Sequence, residues 1–166
     1  MRILITGGAG RLGQYLVDEI ADAHELVLFD RDAGTSKRPV IIGDVLSKAD
    51  LTAAMTGCDA VIHLAGIPVP IPEIRQVWDI NATGTFNVLE SMAECETKRL
   101  VFASSICAVG FIFSSLPMPV RQFPIREDYE GKPDDVYGLT KAVGEVLCDA
   151  SIMDGRTLRA GAAAAI

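Results

Sequence analysis

The stretch from Met1 to Gly13 restricts this chain more than any other. Arg2 to Thr6 is a short apolar, β-branched run, and Gly7 interrupts it. Gly8-x-Gly10-x-x-Gly13 then opens a segment in which Leu12, Leu16, Val17 and Ile20 recur at helical spacing. A strand, a glycine turn and a helix in that order are the context in which such glycines read as a dinucleotide fingerprint. The first glycine permits a sharp turn, the middle one lets a pyrophosphate approach the backbone, and the last lets helix pack closely on strand. The unpaired N–H groups and positive dipole end of the helix then face the phosphates.

Glu25 to Phe29 reads as a second strand that ends at Asp30, where an acid meets the adenosine ribose hydroxyls. A carboxylate there repels a 2′-phosphate and favours NAD over NADP. Arg31 acts in the other direction, since a neighbouring guanidinium accommodates that phosphate.

Strand and helix patterns alternate along the chain, which predicts an α/β fold: a Rossmann-like, doubly wound parallel sheet with helices on both faces. The domain is expected over residues 1–152, with 153–166 as an irregular tail. Val40 to Ile42 reads as a short third strand, Ser47 as the N-cap of a helix to about Met55, and Cys58 to Leu64 as a fourth strand buried on both faces. The three prolines between Ile67 and Pro72 exclude a helix there. A long helix over Ile74–Glu94, a fifth strand over Lys98–Ser104 and a last helix from Asp134 to about Ile152 follow. The irregular excursion Gly110–Lys132 is longer than a compact domain needs, which marks it as functional. Gly155 to Arg159 could open a sixth strand, but Ala160 to Ile166, nearly all alanine and glycine, has no strand character.

At 166 residues, 49% hydrophobic and 22% charged, the chain suits one globular domain. A net charge of −7 with no basic cluster argues against nucleic-acid binding. The uncharged run Leu100–Val120 contains serines, Gly110, Pro117 and Pro119, which excludes a membrane span. The N-terminal apolar run stops at the glycines, so no signal peptide is read and a cytoplasmic location is expected. Cys58, Cys95, Cys107 and Cys148 lack Cys-x-x-Cys spacing and read as reduced thiols, without a metal site.

Tyr137-Gly-Leu-Thr-Lys141 sets a phenol and an ammonium four residues apart, on one face of the last helix. A tyrosine with a pKa of about 10 is a poor base at neutral pH. A lysine one turn away, with a cationic nicotinamide beside it, favours the phenolate. Ser104 and Ser105 close the fifth strand, where the carboxyl ends of a parallel sheet deliver side chains to the ligand crevice.

On these residues the chain resembles the extended short-chain dehydrogenase/reductase family, the NAD-dependent sugar epimerases and dehydratases. The resemblance runs from Met1 to about Asp149. It rests on Thr6 to Gly13, Asp30, Gly43-Asp44-Val45, His63-Leu-Ala-Gly66, Asn81-Ala-Thr-Gly-Thr85, Ser104-Ser105 and Tyr137 to Lys141. It implies that Gly7, Gly10, Arg11, Leu12 and Gly13 hold the dinucleotide, with Asp30 and Arg31 at its ribose and Asp44 and Val45 beside its adenine. Leu64, Ala65 and Gly66 would line its middle, with Ser104 also on the cofactor side. Asn81 would support the site from the long helix, and Lys141 would also bond the nicotinamide ribose. Ser105, five positions before Gly110, Tyr137 and Lys141 would be catalytic, whereas His63 reads as a packed strand residue.

The implied partners are a sugar, sugar-acid or nucleotide-sugar substrate and a second subunit, paired through the helices near 74–94 and 134–152. The run Ser105 to Phe111 also resembles sugar-acid dehydrogenases of the same family. A non-catalytic NAD-binding module is the reading from another class. Family members typically run to about twice this length, so the resemblance implies that most of a C-terminal substrate domain is lacking. The stretch between Ser105 and Tyr137 is longer than is usual, and the loop Phe111–Pro124 is expected to shape the substrate pocket.

Overall fold

Six parallel strands form the sheet, in the order β3-β2-β1-β4-β5-β6. They are β1 (Arg2–Thr6), β2 (Glu25–Asp30), β3 (Val40–Ile42), β4 (Ala60–His63), β5 (Arg99–Phe102) and β6 (Arg159–Gly161). The helices are α1 (Arg11–Ile20), α2 (Lys48–Met55), α3 (Ile74–Trp78), α4 (Gly84–Glu94) and α5 (Val136–Met153). This computed structural model describes residues 1–115, 124–126, 129–153 and 159–161. Residues 116–123, within the loop expected to shape the substrate pocket, lie outside the described residues.

The period-two alternation of β1 sorts its side chains onto two cores. Ile3 and Ile5 face α1, where they meet Val17, Leu28 and Ala60. Leu4 faces the opposite layer with Phe29, Val61, Leu100 and Phe102, under Leu51 and Met55 of α2, Val88 and Met92 of α4 and Cys148 of α5. Leu4, Ile5, Leu51, Met55, Val61, Val88 and Met92 are fully buried. Each such side chain contributes about 1.5–3 kcal/mol relative to exposure. The doubly wound α/β architecture expected from alternating patterns is therefore the one observed.

Several elements depart from expectation in detail. Ser47 caps α2 as read, its hydroxyl accepting from the Asp50 N–H at 3.3 Å. The helix expected over Ile74–Glu94 is interrupted by a π-helical turn at Asp79–Thr83, between α3 and α4. Ala160 and Gly161, expected to have no strand character, lie in β6, which pairs with β5 through Arg99↔Arg159, Leu100↔Ala160 and Val101↔Gly161. Pairing to an existing strand edge overrides the weak propensity of alanine and glycine. The face of α5 that carries Tyr137, Lys141, Gly144 and Cys148 is buried, while Leu139 on another face is 42% exposed. Among the described residues no helix is long and apolar enough to cross a membrane.

Candidate functional site

The strand order reverses between β1 and β4, and the carboxyl ends of both strands open there on a cavity of about 960 Å³. That switch point is where open α/β sheets receive ligands.

At one end of the cavity lies the glycine loop. The sharp turn expected of Gly8 is made instead by Gly7, whose φ is +73° and whose added Cβ would stand 2.6 Å from the Ala65 nitrogen. Gly13 brings α1 against the loop, since a Cβ there would lie 2.5 Å from the Gly7 carbonyl oxygen and 2.7 Å from that of Gly8. Gly10 is the N-cap of α1 and supplies no side-chain cap. The first turn of the helix therefore keeps its donors for an anion, and Gly10, Arg11, Leu12 and Gly13 all line the cavity. Leu12, grouped by periodicity with the core face of α1, is 37% exposed and belongs to the cavity wall.

Asp30 and Arg31, at the end of β2, line the same end. The Asp30 carboxylate accepts from the Ala9 N–H at 3.0 Å and from the Arg31 N–H at 2.7 Å, so it ties the glycine loop to the strand end. Asp44 and Val45 follow β3 in the cavity wall. Gly43 beside them leaves room for the Phe29 ring, which a Cβ would meet at 2.5 Å.

Leu64, Ala65 and Gly66, after β4, line the middle. Asn81, in the π-helical turn, is outside the cavity wall and holds the chain beyond Gly66. Its Oδ1 accepts from the Ile67 N–H at 2.7 Å, and its Nδ2 donates to the Ile67 carbonyl at 3.0 Å and to the Thr140 hydroxyl at 3.2 Å. His63 is fully buried, with Nδ1 2.6 Å from the Thr6 hydroxyl and Nε2 3.0 Å from that of Thr85. Burial, with the nearby Lys141 charge, pushes its pKa from an ordinary 6.5 down to about 3, which keeps it neutral.

At the far end stand Ala103, Ser104, Tyr137 and Lys141. The Lys141 ammonium donates to the Ala103 carbonyl at 2.7 Å and lies 5.9 Å from the centre of the Tyr137 ring. Burial lowers its pKa from 10.5 to about 8. Burial also raises the Tyr137 phenol above its ordinary range, and the hydrogen bond with Ser105 opposes this only in part. The net shift is upward, opposite to the one expected from the lysine. Ser105 caps the 3₁₀ turn Ile106–Val109, accepting from the Cys107 N–H at 3.2 Å, and reaches Tyr137 from outside the cavity wall. Ser104 faces the cavity and donates to the Glu145 carboxylate.

The structure thus gathers most of the expected residues around one cavity, with Asn81 and Ser105 supporting it from behind. Sequence reasoning missed Ile67, Pro68, Val69 and Ile80 in the wall, and Glu145 behind Ser104. The spacing of Glu145, one helical turn beyond Lys141, was the available signal. Chemically, the cavity offers uncapped helix donors for an anion, a carboxylate for a diol, and a phenol–hydroxyl–ammonium group for proton transfer.

Comparison with known proteins gives relatives with sugar chemistry. The chain is 31% identical over 158 residues to the NAD-dependent glucose-6-phosphate dehydrogenase of Haloferax volcanii, covering 87% of this chain and 60% of that protein. It is 31% identical over 150 residues to the uronate dehydrogenase of Agrobacterium fabrum, covering 88% and 54%. A short-chain dehydrogenase/reductase superfamily protein from Agrobacterium tumefaciens, solved with bound NAD, superposes with a TM-score of 0.84 at 27% identity, over 96% of this chain and 48% of that one. The chain therefore spans about half to three-fifths of the proteins it matches. The sequence profile of the NAD dependent epimerase/dehydratase family matches residues 3–161, and the chain belongs to that family.

Proposed function

We propose that this chain is the nucleotide-binding and proton-transfer portion of an NAD-dependent oxidoreductase acting on a sugar, sugar acid or nucleotide sugar. The observation that carries the reading is one continuous cavity with the glycine loop and Asp30 at one end and Tyr137 and Lys141 at the other. The residues fit a dinucleotide: Gly10 leaves the backbone bare, α1 has no side-chain cap, and Asp30 projects at the end of β2. NAD, when bound, supplies the hydride acceptor.

Gly7, Gly10, Arg11, Leu12 and Gly13 would hold its phosphates, Asp30 and Arg31 its adenosine ribose, and Asp44 and Val45 its adenine. Leu64, Ala65 and Gly66 would border its middle, with Asn81 keeping that segment in place. Tyr137 takes the proton of a substrate hydroxyl, and Ser105, bonded to the phenol, orients that oxygen. Lys141 lends positive charge beside the phenol, and a cationic ring nearby would add to it, offsetting the burial that raises the Tyr137 pKa.

The relatives include dehydrogenases of sugars and sugar acids and UDP-glucose 4-epimerases alike, which supports hydride transfer at a sugar carbon as the step they share. A second copy is the expected macromolecular partner, supported by the exposure of Ile74, Trp78, Phe86, Leu139 and Val146 on α3, α4 and α5. A monomer by light scattering at high micromolar concentration would exclude it.

Calorimetric titration with NAD and with NADP tests the central reading. Tight NAD and weak NADP binding is expected. Binding of neither would remove it, whereas binding without turnover on sugars and uronic acids would favour a non-catalytic module.

A further inference from the structure

Ser104 is 8% exposed and shares the far wall of the cavity with Tyr137 and Lys141. A serine hydroxyl has one proton to give and two lone pairs to receive with. The Ser104 proton goes to Glu145 Oε1, away from any ligand. An ionised carboxylate can only accept, so the direction of this bond is settled by chemistry rather than by orientation. Bonds to ionised acceptors are roughly twice as strong as neutral ones, so a ligand adapts to Ser104 rather than turning it round.

The register that brings Glu145 to Ser104 is held on both sides. Lys141 donates to the neighbouring Ala103 carbonyl at 2.7 Å, and Gly144 lies against the Phe102 ring, which an added Cβ would meet at 2.4 Å. Three residues near the middle of α5 therefore fix three successive residues at the end of β5.

We propose that Glu145 is a positioning residue that holds Ser104 as a hydrogen-bond acceptor towards the cavity. Its ligand is a hydrogen-bond donor on the nicotinamide half of the dinucleotide, either the carboxamide N–H or a ribose hydroxyl. This rests on the functional reading above. Glu145 touches no ligand itself and acts only through the polarity of Ser104.

The test is calorimetric binding of NAD and of 3-acetylpyridine adenine dinucleotide, which lacks the carboxamide N–H donors. Both are titrated into the unaltered chain, Ser104→Ala, Glu145→Ala and the double variant, with thermal melts to show that each folds. Ser104→Ala is expected to weaken NAD binding roughly 3- to 10-fold, the worth of one hydrogen bond. Glu145→Ala is expected to weaken it less, because the hydroxyl, no longer directed, still accepts part of the time. In the Ser104→Ala background Glu145→Ala is expected to add nothing. Loss for NAD alone identifies the carboxamide as the donor, and equal loss for both dinucleotides identifies a ribose hydroxyl. Unchanged NAD binding by a folded Ser104→Ala chain overturns the proposal, as does a Glu145→Ala effect that persists without Ser104. Failure of the unaltered chain to bind either dinucleotide is a different result, and removes the functional reading itself together with this inference.

Discussion

The Nε2 nitrogen of His63 lies 3.0 Å from the Thr85 hydroxyl, and it is the donor of that bond. Thr85 has one proton, which it gives to the Asn81 carbonyl at 2.6 Å, so its oxygen can only accept from the ring. His63 is therefore the Nε2–H tautomer, and Nδ1 accepts from Thr6 at 2.6 Å. One directed chain runs from the end of β1 through β4 to the π-helical turn that carries Asn81.

A neutral buried histidine makes stability depend on pH. The unfolded chain protonates His63 near 6.5, whereas the folded chain resists until about 3. Between those values the unfolded state binds the extra proton, so stability is fully present above about 6.5 and falls as pH drops towards 3. The limiting slope is about 1.4 kcal/mol per pH unit. Thermal melts between pH 7.5 and 4.5 should lose a matching part of their slope in His63→Gln, whatever that variant's stability at neutral pH.

The glycine loop separates packing from binding. Gly13→Ala drives a Cβ to within 2.5 Å of a backbone carbonyl, so a destabilisation of about 1–3 kcal/mol is expected, together with loss of dinucleotide binding. Gly10→Ala meets the nearest atom, the Gly7 carbonyl oxygen, only at 3.1 Å. It should melt near the unaltered chain yet bind NAD more weakly. Urea unfolding beside calorimetry distinguishes the two, and equal melting of both variants would contradict this account.

Asp30 is expected to set the choice of nucleotide. Asp30→Asn removes the charge but keeps an acceptor for the Ala9 N–H, so the loop should hold. Charged hydrogen bonds are worth about 1.5–3 kcal/mol, which predicts NAD affinity lower by roughly 10- to 100-fold. NADP should bind as well as before or better, with Arg31 beside the site. A parallel fall for both nucleotides would mean that Asp30 serves the loop alone.

Tyr137→Phe should fold, because the ring packs with Val77 and Cys107 and keeps that surface. Dinucleotide affinity should be unchanged, while turnover falls about 10²- to 10⁴-fold, the usual worth of a general base. Initial rates with sugars and uronic acids, set beside binding isotherms, measure both. Surviving turnover would remove the phenol from the proton-transfer role.

Much of this was legible in the chain because local and global signals agree. β1 and β3 begin and end where their apolar runs do, and Ser47 caps as serines before a helix commonly do. The π-helical turn was hidden because apolar residues recur through it, and periodicity does not register one extra residue in a turn. Two adjacent glycines cannot reveal which one takes positive φ; that is decided by the close approach of Ala65 to Gly7. A sixth strand was legible as far as Arg159, but Ala160 and Gly161 were not read into it because their pairing comes from the β5 edge, not from their own side chains. Glu145 stands one helical turn beyond Lys141, but that spacing gains meaning only through Ser104 on the facing strand end, which is a tertiary contact.

The reversal of strand order between β1 and β4 has a further consequence. On one flank, β1, β2 and β3 present the glycine loop and Asp30. On the other, β4 and β5 with α5 present Gly66, Ser104, Tyr137 and Lys141. The two flanks meet strand to strand at Ile3–Thr6 against Ala60–His63, and again where α2 packs on α4 and Asn87 Nδ2 donates to the Val45 carbonyl at 3.0 Å. On the proposed reading, the residues that choose the nucleotide, Asp30 and Arg31, stand on one flank and those that move the proton, Tyr137 and Lys141, on the other, so a dinucleotide spans the joint and is gripped from both sides.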